Sequence, residues 1–211
     1  MKRSNFNGQI AADYDNWYES KKGRFFDKLE KALILRLIKP NPGMKLLDIG
    51  CGTAHHIIWF KELRLKPAGV DGSPDMLDIA RRKIGQGIEL KLAAAENLPF
   101  ADESFDIVTM ITTLEFLAKP ALALKEALRV SKDKVFLGVL NRYSVLSLKR
   151  RLKGLFKPSV YNQARFFSIC QLMVLIKGLD KNLSVCWETT IPNSHGRNPF
   201  GVFIGVLIRK K

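Results

Sequence analysis

Apolar and polar positions alternate along the chain with two periods, one after the other. Residues 24–39 carry Phe25, Phe26, Leu29, Leu33 and Leu37 at helical spacing, and Pro40 and Pro42 end the run. A short apolar stretch, Met44–Ile49, reads as a buried strand. Gly50-Cys51-Gly52 then makes a tight turn into a helix over 54–64. The same rhythm repeats downstream. A strand at 67–71 precedes a helix at 74–84 with Pro74 in its first turn, and a third strand spans Ile88–Ala93. A polar loop, 95–104, leads into a fourth strand, Phe105–Ile111, a helix at 120–130 opened by Pro120, and a fifth strand, Val135–Leu140. Strands that alternate with helices in this way predict an α/β domain built on a mostly parallel sheet with helices on both faces.

Beyond residue 140 the rhythm changes. Residues 141–159 mix Lys149, Arg150, Arg151, Lys153 and Lys157 with Leu146, Leu148, Leu152, Leu155 and Phe156. Residues 162–179 read as an apolar helix, and Leu183–Ile191 and Val202–Arg209 as two strands joined by the loop PNSHGRNPFG. With these two the sheet has seven strands. A single domain follows, with an N-terminal helical cap (1–40), a ligand-binding core (41–140), a basic, helical lid region (141–180) and a terminal strand pair (181–211).

Composition narrows the class. Apolar residues make up 46% of the 211, enough to bury a full core, and no uninterrupted apolar run reaches the length of a membrane span. The N-terminus lacks the apolar core of a secretory signal. Cys51, Cys170 and Cys186 are too few and too scattered for a disulfide framework and form no CxxC, which points to a reducing, cytoplasmic setting. The net charge of +15 is uneven: 129–211 holds 16 basic against three acidic side chains, +13, whereas 1–128 holds 19 against 17, +2. Such a field draws nucleic acid, anionic lipid or an acidic small molecule, or is only a solvated face. The 149–157 stretch reads as a solvated helix face, a peripheral membrane contact or a lid over an acidic substrate, and the lid is preferred.

Chemistry concentrates at LLDIGCGT, residues 46–53. The glycines let backbone pass close to a ligand, and the helix that follows offers free N–H groups. Asp71 lies twenty-one residues after Gly50 at the end of the second strand, where nucleotide-binding α/β folds place an acid that accepts ribose hydroxyls. A dinucleotide site would need a third glycine where His55 stands, and Asp48 would repel a pyrophosphate but suit a cationic sulfonium.

LLDIGCGT resembles the first motif of class I S-adenosylmethionine-dependent methyltransferases, and GVDGSPDML their second. AAAENLPFADESFDIVTM and TTLEFLAKPALALKEALRVSK are similar to the third and fourth regions of the type 11 and ubiquinone/menaquinone group, so the likeness runs from about Tyr14 to Leu140. The resemblance implies a Rossmann-like three-layer α/β/α sandwich whose last two strands form an antiparallel hairpin. It implies S-adenosyl-L-methionine as cofactor, S-adenosyl-L-homocysteine as product and a small-molecule acceptor. It assigns Asp48, Gly50, Cys51 and Gly52 to the methionine side of the cofactor and Asp71, Gly72 and Met76 to its ribose and adenine. Ala95 and Glu96 fall at the adenine edge, and Ile111 and Thr112 near the methyl group. Ala94 departs from the family's acid, and Ala54-His55-His56 from its usual glycine.

Other readings stay open. Tyr14, with Trp17, either covers the cofactor or packs on the domain. Glu115, Tyr143, His55 and His195 are candidate bases without a firm order. No metal is expected, because adjacent histidines on a helix point apart. A binding protein without catalysis, and an RNA methyltransferase using the basic C-terminal part, are the alternatives; nucleic acid is the less favoured partner, and the oligomeric state is left open.

Overall fold

The computed structural model describes residues 6, 8–144, 164–191 and 194–210. The basic stretch at 149–157 therefore lies outside the described residues. Two short helices, α1 (Gln9–Ala12) and α2 (Asn16–Glu19), precede the long α3 (Lys21–Ile38). Then come β1 (Lys45–Ile49), α4 (His55–Glu62), β2 (Lys66–Asp71), α5 (Pro74–Ile84), β3 (Leu90–Leu92) and β4 (Phe105–Ile111). A 3₁₀ turn at Leu114–Phe116 is followed by α6 (Pro120–Val130), β5 (Ser131–Leu140), α7 (Ile169–Leu179), β6 (Ser184–Ile191), β7 (Ser194–Gly196) and β8 (Phe203–Arg209).

The strands form one sheet in the order β3-β2-β1-β4-β5-β8-β6-β7. β1 to β5 run parallel, and β8 enters antiparallel to both β5 and β6. Seven strands answer to the expected sheet. The eighth is the three-residue β7, which pairs back onto β6 from within a loop whose proline, asparagines and glycines read as turn.

Alternation along the strands feeds two apolar layers. Leu47, Val108, Met110, Val135, Leu137, Val139, Ile204 and Val206 face one core with Leu124 and Ala127 of α6 and Leu172 and Ile176 of α7. Leu46, Ile107, Phe136, Phe203 and Leu207 face the other with Leu33, Ile34, Leu37 and Ile38 of α3. Gly205 lets α3 approach β8: a Cβ there would lie 2.9 Å from Leu33 Cδ2. Caps fix the helix starts. The Ser20 hydroxyl accepts from the Gly23 N–H and Ser73 from the Met76 N–H, while Ser168 and Gln171 cap each other's backbone. Strand order reverses between β1 and β4, so a crevice opens at their carboxyl ends.

Candidate cofactor site

The turn after β1 is held by its own backbone. The Gly50 and Cys51 N–H groups both donate to the Val70 carbonyl, at 2.8 and 3.0 Å, which fastens the turn to β2. Gly50 and Gly52 have φ of +74° and +53°, and Ala54 (+66°) completes the reversal into α4. Only glycine fits at Gly50, because a Cβ would meet the Thr113 side chain at 2.4 Å. That threonine donates to the Ile49 and Ile111 carbonyls, both at 3.0 Å, and so locks the turn against β4. At Gly52 and Gly72 the opposite holds. A Cβ there would find nothing nearer than 3.9 Å, so both face open space.

Asp71 stands at the edge of that space. Its Oδ2 accepts from the Gly52 N–H at 2.9 Å and its Oδ1 from the Ser73 N–H at 2.8 Å. Burial raises its pKa, and the backbone donors only partly offset this. Two peptide groups thus fix a carboxylate whose remaining lone pairs are available to hydroxyl donors.

A cavity of about 390 Å³ opens here, lined by Tyr14, Gly50, Gly52, Asp71, Gly72, Met76, Ala95, Glu96 and Thr112 among the residues singled out from sequence. This volume lies within the range of small-molecule and cofactor pockets. Thr112 holds φ +50°, a strained value for a β-branched residue, where β4 ends in the cavity wall. Phe6, Ala94, Thr113, Phe116, Leu117 and Ala118 also line it. Phe6 had no signal in the sequence: an isolated aromatic before the first helix has no periodicity to place it. It is held by the Ser73 hydroxyl, which donates to its carbonyl at 2.6 Å, and by edge contacts to Phe116 and Tyr14. Asp15 accepts from the Thr53 hydroxyl at 2.6 Å and pairs with Lys83 at 2.9 Å, so the N-terminal segment is tied across the glycine turn.

Asp48, Cys51, Ile111, Tyr143, Glu115 and His55 are not among the residues that line the cavity. Asp48 is buried and accepts from the Thr109 hydroxyl at 2.7 Å; burial lifts its pKa to about 7. Cys51 is buried against the α4 and α5 side of the sheet, where burial pushes its thiol up, and Ile111 packs into the core beneath α3. Tyr143 is exposed. His195 is described by its backbone pairing to Thr190.

Two further candidates have distinct surroundings. Glu115 sits in the 3₁₀ turn beside Thr113 and Phe116 and is buried. Its Oε1 accepts from the Leu140 N–H at 2.7 Å, while Oε2 has no partner among the described residues, and burial raises its pKa to about 7. His55 points away from the cavity toward Asp27, with its Nε2 2.8 Å from Oδ1. His56, the next residue, is buried, and burial lowers its pKa to about 3, which keeps it neutral.

Residues 47–138 match the family model described as a methyltransferase domain. An uncharacterized protein of Methanocaldococcus jannaschii is 32% identical over 173 residues, 81% of this chain and 78% of that protein. A demethylmenaquinone methyltransferase of Bacillus velezensis is 38% identical over 105 residues, 46% of this chain; the chain spans only 45% of that relative's length. Among solved structures, a SAM-dependent methyltransferase from Thermotoga maritima, described as a possible histamine N-methyltransferase, superposes with a TM-score of 0.73 at 29% identity, covering 96% of this chain and 97% of that one.

Proposed function

The chain belongs to the class I S-adenosylmethionine-dependent methyltransferases, and from that premise we propose that it methylates a small-molecule acceptor at the crevice between β1 and β4. The observation that carries this reading is the Asp71 carboxylate, fixed by two backbone N–H groups beside the open space at Gly52 and Gly72. A ribose diol fits such a carboxylate, because each hydroxyl donates and each oxygen can accept. Met76, Ala95 and Glu96 would enclose the adenine, with Glu96 serving where Ala94 supplies no acid. Gly50, Gly52 and Thr112 would border the methionine portion, and Tyr14 and Phe6 would cover it. Asp48, Cys51 and Ile111 would shape the turn from beneath.

Bound there, the cofactor supplies an electrophilic methyl group on a cationic sulfur. The protein's part is mainly placement, which is worth up to about 7–11 kcal/mol in ideal cases. Phe6, Tyr14 and Phe116 line one side of the cavity with aromatic surface and would limit water at a bound cofactor. Glu115 is the proposed proton acceptor: it does not itself line the cavity, but it lies in the 3₁₀ turn between Thr113 and Phe116, which do, and burial raises its pKa to about 7. His55 is engaged with Asp27, and Tyr143 faces solvent.

The mainly apolar lining and the cavity volume of about 390 Å³ support a small acceptor. Among the described residues no helix is long and apolar enough to cross a membrane. The free cysteines Cys51, Cys170 and Cys186 support a cytoplasmic location. The test is a transfer assay with methyl-labelled cofactor, offered separately to a metabolite extract and to total RNA. Label in the metabolite fraction is expected; label confined to RNA would overturn the small-molecule reading.

A further inference from the structure

Away from the cofactor cavity, Asp27, His55 and His56 converge, with one ligand atom from each within 4.8 Å of the others. The third ligand comes from α3, which is why adjacent histidines with rings 86° apart can still share a site. Spacing within α4 alone gave no hint of this.

The contacts at this point conflict. His55 Nε2 lies 2.8 Å from Asp27 Oδ1 and 3.2 Å from Lys31 Nζ. If that nitrogen carries a proton it bonds the carboxylate and opposes the ammonium. If it is bare it accepts from Lys31 and opposes the carboxylate. One ring nitrogen cannot satisfy both. His56 adds a second irregularity: the residue is only 7% exposed, and its Nε2 is buried with no hydrogen-bond partner among the described residues. A buried polar atom left this way is costly and calls for a cause. A cation already stands in the cluster, since Lys31 Nζ is 2.7 Å from Asp27 Oδ2 and 5.4 Å from the centre of the Trp59 ring. The Tyr18 ring stacks on His55 at 3.7 Å and closes one side.

We propose that Asp27, His55 and His56 form a binding site for a divalent transition metal such as Zn²⁺, and that the Lys31 ammonium holds the cation's place until metal displaces it. A metal ion takes the bare His55 nitrogen and the Asp27 carboxylate together, which removes the conflict, and a ring nitrogen of the buried His56 lies within 4.8 Å of both to complete the set. Two imidazoles and one carboxylate favour zinc, cobalt, nickel or copper over magnesium or calcium. Three protein ligands leave a fourth position for water. Lys31 can leave, because its side chain is partly exposed and ends a flexible stem. The ion would join α3 to the start of α4, next to the glycine turn.

The test uses tag-free protein with Cys170→Ser and Cys186→Ser, which removes the exposed thiols, stripped by chelator and then titrated. Zn²⁺ binding is read by calorimetry and Co²⁺ binding by its visible d–d absorption. One equivalent is expected. Asp27→Asn should weaken Zn²⁺ by at least about tenfold, since even groups outside the coordination shell carry that much. Lys31→Met should tighten it roughly two- to fivefold, the worth of a partly exposed lysine ion pair. General damage to the fold cannot produce that opposite sign. No binding of either metal at millimolar concentration, an affinity indifferent to Asp27→Asn, or weaker binding in Lys31→Met would each overturn the site.

Discussion

Asp71→Asn separates ligand recognition from stability. In the native protein both carboxylate oxygens accept a backbone N–H, at 2.9 Å from Gly52 and 2.8 Å from Ser73. Asparagine has one oxygen and one NH₂, so whichever way it is turned, an amine faces a backbone donor. The hydroxyl bonds from a ribose also lose their charged acceptor, and bonds to charged groups are worth about 1.5–3 kcal/mol. Cofactor binding should therefore weaken by roughly 2–4 kcal/mol, which is about 30- to 800-fold in Kd.

The effect on folding runs the other way. Burial raises the Asp71 pKa in the folded state. A carboxyl with a raised folded pKa binds more protons folded than unfolded, so above its unfolded pKa of about 3.9 the ionised group costs stability. The neutral amide removes that cost and gives up one backbone bond. Asp71→Asn should keep the native Tm within a few degrees at neutral pH, or raise it. The assay is calorimetric titration with S-adenosylhomocysteine beside a thermal melt of the unliganded protein. A Kd within about threefold of native would refute the ribose role, given the bond energies involved. A collapse of Tm would show that Asp71 holds the turn together.

Three further perturbations act at separate points. Gly52→Ala places a Cβ in the open cavity at φ +53°, so it should weaken the same ligand at least tenfold by titration and cost about 1–2 kcal/mol of stability for the left-handed conformation. Glu115→Gln should leave cofactor affinity unchanged and lower turnover about 10²–10⁴-fold, with loss of a kcat inflection near pH 7 in the rate profile. Because the folded pKa of Glu115 lies above that of a free glutamate, wild-type stability should fall between about pH 4.3 and 7 through this group, and the variant should lack that slope in melts across the range. Gly138→Ala puts a Cβ 2.3 Å from Phe203 Cζ, and overpacking there should cost about 1–3 kcal/mol in urea unfolding without altering cofactor affinity.

Much of the sheet was legible because its signals are local. Phe105–Ile111 and Pro120–Val130 fall where period and proline placed them. β5 begins at Ser131, four residues before the apolar run, because Ser131 and Lys134 pair by backbone with Phe105 and Ile107 across a register shift, while this stretch looks polar in sequence. The apolar helix begins at Ile169 instead of 162, because Phe167 is drawn into an extended bridge to Asn141 and Ser168 caps the helix after it. β7 was illegible for the same reason: three residues in a polar loop gain strand geometry only from β6 alongside.

The site divides along a similar line. Residues whose backbone does the work, Gly50, Gly52 and the end of β2, were legible, since glycine and a strand-terminal acid leave marks that need no partner. Residues whose role depends on what lies opposite were not. Asp48 looked like a charge aimed at a cationic ligand, yet a threonine on the neighbouring strand receives it, 2.7 Å away, and burial carries its pKa to about 7. A carboxyl raised in this way by burial holds its proton more readily than a free aspartate, so any attraction it exerts on a sulfonium is weakened and falls further with acid. If Asp48 nonetheless contributes charge, Asp48→Asn should weaken the sulfonium cofactor more than its uncharged thioether product. If it serves the turn alone, the two affinities should fall together; comparing them by titration decides which.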